Sequence, residues 1–279
     1  MLTVNVKFDT LIRFAYIETR LYWEGGLAAS ELAKTFYLTR QTAQAVINDY
    51  RQQHLGQMRY DSSLKRHLAE EDFKPQYIRG DAVAFLDYLR GQNLRAHYLD
   101  EPEWSEVELA DVDRLLRPKL PRRVVQPILA ALRHQQTLLI KYQPVMPDDI
   151  RVCVISPNHL VFANNRYHLH AYCHERQKYL DFVLYRIVHV EPADEEWVSS
   201  EESREWNEFV TLRFRPNREL PQEVQETVLR EYLGSDDNNI LEIRCRKNEA
   251  FYVRQKLLKA VDSQRGMPLW IDISTEKGL

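Results

Sequence analysis

Apolar positions recur every three to four residues through the amino-terminal third and every second residue through the middle of the chain. The pattern therefore divides the protein into a helical part and a strand-rich part. Leu11, Phe14, Ile17 and Leu21 share one helical face before Gly25-Gly26 interrupts it. Ser30 is placed to cap a second helix over 31–36, with Leu32, Ala33 and Phe36 on its apolar side. The turn Tyr37-Leu38-Thr39 leads to a third helix, capped by Thr39, whose buried stripe is Ala43, Val46, Ile47 and Tyr50.

The opposite face of that third helix carries Arg40, Gln44, Asn48 and Arg51, with Gln41 beside them. Arg reads guanine through paired hydrogen bonds, and Gln and Asn read adenine, so these residue types suit base edges. A helix, a short turn and a second helix with an exposed polar face is the helix-turn-helix arrangement. Residues 57–60 and 64–68 flank Asp61-Ser62-Ser63 as a hairpin, which would serve as a wing. Thr39, Ser62 and Ser63 join the candidate DNA contacts, and Arg59, Lys65 and Arg66 are placed to touch phosphates. Exposed Gln and Arg are usually a solvated face. Here the local charge favours DNA: from Lys34 to His67 six basic residues stand against two acidic ones, in a chain of net charge −3.

Asp81 is expected to cap a helix ending at Gly91, with Val83, Phe85, Leu86 and Leu89 apolar. An acidic run from Asp100 to Asp113 follows, in which Ser105-Glu106-Val107-Glu108 has capping-box spacing for a helix stopping before Pro118. Pro121 suits the first turn of a helix through about His134, with Val124, Val125, Ile128, Leu129 and Leu132 inside.

Strand patterns then dominate: Ile140-Lys141-Tyr142, Ile155 to Leu160, Arg166 to Tyr172 and Phe182 to Ile187. Alternation places Tyr167, Leu169, Ala171 and Cys173 on a packing face, and Arg166, His168, His170 and Tyr172 toward solvent or a ligand. Phe182, Leu184 and Arg186 share a parity, so a regular strand would aim a guanidinium with two core side chains. A second acidic stretch, Glu191 to Glu208, marks a boundary. After it come a strand (Phe209 to Phe214), a helix (Pro221 to Leu233, stopped by Gly234), a strand (Ile240 to Arg246), a helix capped by Asn248 and a strand (Pro268 to Ile273), a small α+β module.

The order Ile-x-Tyr, Ser-Pro-x-x-Leu, Tyr-His-Leu-x-Ala-Tyr and Phe-x-Leu-x-Arg-Ile resembles the WYL domain, a small Sm-like β-barrel of bacterial transcriptional regulators. The family's Trp-Tyr-Leu signature reads Tyr167-His168-Leu169 here, with an imidazole at the middle position. The resemblance implies an effector pocket near Ser156, His159, His168, Arg176 and Arg186. It extends over nearly the whole chain as a winged helix-turn-helix, WYL and extension order, similar to repressors of the BrxR/CapW type associated with phage-defence islands. It also implies that the carboxy-terminal module makes dimer contacts.

Composition narrows the remaining classes. Of 279 residues, 44% are hydrophobic, enough for a real core over two or three domains. No apolar run reaches membrane-spanning length, and Cys153, Cys173 and Cys245 are too far apart for a metal pair or disulfide framework, so a cytoplasmic, reducing setting is expected. His168 and His170 could reach one metal with His174, but strand imidazoles of this sort are more often pocket side chains, so no metal is expected. Ser156 precedes a proline rather than sitting on a Gly-flanked elbow, and Cys173 shares the packing face. No enzyme activity and no cofactor are therefore expected. Binding suits the inventory better: His168 and His170 beside Arg176 and Arg186 for an anion, and Tyr142, Tyr167 and Tyr172 for a ring.

The resulting expectation is a multidomain α+β protein. It has a winged helix-turn-helix domain (1–95), a helical linker (96–135), a central ligand-sensing Sm-like barrel (136–200) and a carboxy-terminal dimerisation module (205–279). The expected partners are a double-stranded DNA operator read as an inverted repeat by a homodimeric repressor, and a nucleotide or single-stranded nucleic-acid effector. An RNA-binding or nucleic-acid-processing protein built on the barrel is the alternative.

Overall fold

The computed structural model describes residues 8–91, 112–116, 119–145, 151–233 and 239–274. The expected capping box at Ser105 and the helix stops at Pro118 and Gly234 lie outside them.

The amino-terminal unit contains α1 (Phe8–Glu24), β1 (Gly26–Leu27), α2 (Ala29–Phe36), α3 (Arg40–Gln53), β2 (Met58–Asp61), β3 (Arg66–Ala69) and α4 (Ala82–Leu89). Phe14, Ile17, Leu21, Leu32, Ala43, Ile47 and Tyr50 form its core. Their helical spacing is what drives α1, α2 and α3 together. The antiparallel sheet β1-β3-β2 completes a winged helix-turn-helix. β1 passes so close to β3 that a Cβ on Gly26 would lie 2.8 Å from the His67 carbonyl oxygen, so only glycine fits there. α2 begins earlier than Ser30: the cap position is Ala28, which has no side-chain acceptor, and Glu31 makes the reciprocal half of a capping box by accepting the Ala28 N–H at 2.8 Å. Thr39 caps α3 through its Oγ1, which accepts from Thr42 N at 3.1 Å.

Glu18, fully buried on α1, ties the helices of this unit to the segment leading into α4. It accepts hydrogen bonds from the Tyr50 hydroxyl (3.0 Å) and from the backbone N–H groups of Gln76, Tyr77 and Ile78. Burial raises its pKa above the ordinary carboxyl value, and those donors pull it back only in part.

After α5 (Val112–Leu115), helix α6 (Arg122–His134) docks on the end of α1. Arg122 and Gln126 donate to the Tyr22 carbonyl at 3.1 Å, and Arg133 donates to that of Glu24 at 3.2 Å. Carbonyls left open by the end of α1 are thus satisfied from the linker. Arg66, Glu31, Arg20, Glu24 and Arg133 form one ladder of alternating charge from the wing to α6. Trp23 stacks on Phe85 at 5.0 Å, and both belong to the same core as Ile140, Ile155 and Leu169 of the central sheet. One apolar core therefore runs from the winged-helix unit into the central sheet.

The central sheet is β4 (Leu138–Tyr142), β5 (Arg151–Ala163), β6 (Arg166–Cys173), β7 (Lys178–Val183) and β8 (Ile187–Pro192), in the antiparallel order β7-β6-β5-β4-β8. Among the described residues no ladder joins β7 to β8, so the expected closed barrel is an open sheet. It is nevertheless strongly curled, because a single 3-10 turn (Leu184–Arg186) links strands on opposite edges, and β5 bulges between Pro157 and His159. That turn also breaks the expected Phe182–Ile187 strand, which takes Arg186 off the core-facing parity. On β6, Tyr167, Leu169, Ala171 and Cys173 pack as their alternation dictates. His168 and His170 on the other face are only 6% and 3% exposed rather than open to solvent.

What covers them is the rest of the chain. The acidic stretch after β8 crosses β5: Trp197 Nε1 donates to Pro157 O (3.0 Å), and Val198 N donates to Ser156 Oγ (3.0 Å). It continues through α7 (Arg204–Asn207) into a module of β9 (Phe209–Pro216), α8 (Gln222–Leu233), β10 (Leu241–Arg246), α9 (Ala250–Leu258) and β11 (Trp270–Asp272), with sheet order β10-β9-β11. Leu212, Phe214, Val228, Leu257 and Trp270 make its core. Glu249 rather than Asn248 occupies the cap position of α9.

Candidate nucleic-acid interface and ligand cleft

The expected reading face lies on α3. Arg40, Gln41 and Arg51 are exposed, and Gln44 and Asn48 are half-buried and joined by a hydrogen bond from Gln44 Nε2 to Asn48 Oδ1 at 3.2 Å. Arg40, Gln41, Gln44 and Asn48 line one shallow depression. Thr39 stands exposed at the start of the helix. At the wing tip, Asp61 Oδ1 accepts from Ser63 N, Ser63 Oγ and Leu64 N, which folds the turn and presents Ser62, Ser63 and Lys65 outward. Arg59 lies 3.8 Å from both Asp61 and Glu70. Arg66 is turned inward, donating to Gly26 O at 2.9 Å and pairing with Glu31 at 3.0 Å. His67 is buried beneath the wing, and that burial, with the nearby Arg51 charge, lowers its pKa.

Sequence reasoning missed Tyr37. It takes a left-handed conformation (φ 54°) at the end of α2 and is 96% exposed beside α3. An aromatic residue inside the expected turn was the available signal.

A second feature is a cleft of about 660 Å³ between the central sheet and α9. Tyr142, Arg166, His168, Asp181 and Arg186 line it from the sheet, and Phe251, Tyr252, Lys256 and Lys259 line it from α9. Four cationic side chains thus face one carboxylate, and that carboxylate is engaged: Asp181 accepts from His170 Nδ1 (2.6 Å) and from the Tyr252 hydroxyl (2.7 Å). Burial alone would raise the Asp181 pKa, but those hydrogen bonds and the neighbouring imidazoles leave it lowered. Burial lowers His168, whose ring lies 5.0 Å from that of Tyr252. The cleft is therefore a basic, partly aromatic groove whose one carboxylate stays ionised and is held in hydrogen bonds by His170 and Tyr252.

Of the expected ligand residues, Tyr142, His168 and Arg186 line this cleft. The others are elsewhere. Ser156 is fully buried, and its Oγ is bonded to His174 Nε2 and to Val198 N. His159 stacks under Trp206 at 3.9 Å and bonds Ser200 Oγ at 2.7 Å; burial, with His170 and Arg246 nearby, lowers its pKa to about 4. His170 lies between Trp206 and Tyr179. Tyr167 faces the opposite side of β6, where its hydroxyl donates to Asp87 of α4. Arg176 is exposed in the β6–β7 turn. The α9 residues were missed, although Tyr252, Lys256 and Lys259 recur at helical spacing on one face.

Among the described residues His168, His170 and His174 are not grouped as donors: His168 and His170 both lie near Asp181, whereas His174 Nε2 is bonded to Ser156 Oγ. Among the described residues, the donors brought together are Cys153, Cys173 and Glu175, although the cysteines are far apart in sequence. No helix among these residues is long and apolar enough to cross a membrane.

Residues 9–91 match the winged helix-turn-helix domain of the BrxR transcriptional regulator, and residues 123–192 match the WYL domain. The fold thus defines a winged-helix protein carrying a WYL domain. A DNA-binding transcriptional repressor CapW of Stenotrophomonas maltophilia is 30% identical over 261 residues, covering 91% of this chain and 84% of that one. The CapW of Escherichia coli (strain KTE188) is 27% identical over 83% of this chain and 78% of its own, and that of Pseudomonas aeruginosa is 26% identical over 86% and 80%. The chain belongs to the CapW family of transcriptional repressors. A solved structure of proteasome accessory factor B/C of Arthrobacter aurescens aligns with 96% of this chain and 46% of its own length, at 16% identity and a TM-score of 0.28.

Proposed function

We propose that this protein is a sequence-specific DNA-binding transcriptional repressor, acting as a homodimer on an inverted-repeat operator. The observation that carries the reading is the exposed polar face of α3, Arg40 to Arg51, beside a wing tip bearing Ser62, Ser63 and Lys65. Arg40, Gln41, Gln44 and Asn48 read base edges, while Thr39, Arg51, Arg59 and Lys65 hold the backbone. Arg66 supports the wing from behind through Glu31. One recognition helix spans few base pairs, so specific affinity requires two half-sites and hence two copies, held through the carboxy-terminal module.

The basic cleft supports the second half of the reading, in which an anionic ligand, a nucleotide or a short single strand, sets DNA affinity. Arg166, Arg186, Lys256 and Lys259 would take phosphates, and Tyr142 and Tyr252 a ring. An inducer must bind the DNA-incompetent arrangement more tightly, since equal affinity shifts nothing.

The test is a titration of the purified protein against duplexes from its own upstream region, with scrambled duplex and single-stranded RNA as competitors and with nucleotides added in turn. The reading expects a salt-sensitive complex of two chains per site that scrambled DNA does not displace. Equal affinity for scrambled duplex, or preference for RNA, overturns it.

A further inference from the structure

The paired ladders of β5 and β6 bring two thiols and a carboxylate to one place. Ile155 faces Cys173, and His174 N donates to Val154 O at 3.0 Å, so Cys153 lies diagonal to Cys173 on the same face. Both cysteines are buried. Glu175, exposed in the turn after β6, folds back beside them. Its Oε1 accepts the Val154 N–H at 2.7 Å and its Oε2 accepts from Cys173 Sγ at 3.5 Å. The two Sγ atoms and a Glu175 oxygen all lie within 4.8 Å of one another.

We propose that Cys153, Cys173 and Glu175 form a binding site for one thiophilic divalent cation of the zinc type. A tetrahedral ion with metal–sulfur and metal–oxygen bonds of ~2.3 and ~2.0 Å holds such a pair of donors ~3.5 Å apart, the separation found between Cys173 and Glu175. The carboxylate is held by a backbone N–H, as metal-ligating carboxylates commonly are. Sulfur donors on the buried side and Glu175 on the exposed side leave one direction open for entry and for a fourth ligand from solvent. Binding replaces two S–H bonds by two sulfur–metal bonds and releases both protons to solvent, with no oxidation. In the metal-free protein, burial pushes the Cys153 thiol up to about 12, which keeps it neutral and slow toward disulfide exchange. An ion there would tie β5 to the β6–β7 turn.

The experiment is a cobalt(II) titration of the reduced full-length chain, followed by the thiolate-to-cobalt charge-transfer band, with zinc displacement as a second step. The site predicts saturation at one ion per chain. The band is lost in Cys153→Ala and Cys173→Ala and unchanged in Cys245→Ala. Glu175→Gln, at an exposed position that keeps an acceptor for Val154 N, folds normally and weakens cobalt about 10-fold. Absence of the band in the wild-type chain, or its survival in either of the first two variants, overturns the proposal. So does loss of two titratable thiols under mild oxidation without cobalt binding, which would make the pair a disulfide site.

Discussion

The hydroxyl of Tyr167 on β6 donates a hydrogen bond to the carboxylate of Asp87 on α4, at the end of the winged-helix unit. Both residues are buried. Arg90, one turn beyond Asp87, lays its guanidinium 3.5 Å over the ring of Phe162 on β5. The winged-helix unit is therefore joined to the central sheet by specific polar contacts as well as by shared core. Burial and the Asp87 hydrogen bond push the Tyr167 phenol up, which keeps it protonated as the donor.

Tyr167→Phe removes one donor from a buried carboxylate. Stability should fall by about 1–3 kcal/mol. Chemical denaturation of Tyr167→Phe, Asp87→Asn and the double variant measures this, and coupling near zero would show that the contact does not link the two units.

Arg40→Ala and Gln44→Ala should each cost about 1–3 kcal/mol of operator binding and relax base preference, whereas Lys65→Ala should weaken all duplexes alike and flatten the salt dependence. Binding isotherms at several salt concentrations separate the two. A uniform loss from all three variants would remove α3 from the role of reader.

Arg186→Ala should weaken nucleotide or oligonucleotide binding in the cleft by about 1.5–3 kcal/mol, and Lys256→Ala should weaken it in the same direction. Arg176→Ala should leave it unchanged, because that side chain is exposed in a turn away from the cleft. Calorimetry on the three variants decides between the geometric site and the one implied by resemblance.

His159 has its pKa lowered in the folded state to about 4, from an ordinary value of 6.5. Below pH 6.5 the unfolded chain takes up a proton that the folded chain resists, so stability is full above that value and lost as pH falls toward 4. His168 shifts in the same direction. Thermal midpoints should drop between pH 7 and pH 5, and His159→Gln should flatten the drop. An unchanged slope would assign the acid sensitivity to other groups.

Much of this was legible in the residues. Spacing placed α1, α3 and the Thr39 cap, because those features depend on neighbours three or four positions away, and the polar turn Asp61-Ser62-Ser63 between two flanking runs placed the wing. The cap of α2 falls at Ala28 rather than at Ser30, because α2 starts without a capping side chain and is fixed instead by Glu31 accepting the Ala28 N–H. Period-two alternation correctly chose the packing face of β6. It could not reveal that Trp206 and Tyr252 cover the other face, since those residues come from a distant part of the chain. For the same reason the sequence does not show that Ser156 and His159 are engaged by His174, Val198, Ser200 and Trp206, or that Lys256 and Lys259 line the cleft. The thiol pair depends on strand register, which the sequence does not display.

β6 presents Tyr167 to the head and His168 to the cleft from adjacent positions. Exchanges within that strand change one surface at a time, but adding or deleting a single residue would turn the phenol toward the cleft and the imidazole toward α4 together. Length, more than identity, is the property this strand must keep. Homologous chains aligned through it should differ by replacement and not by gaps.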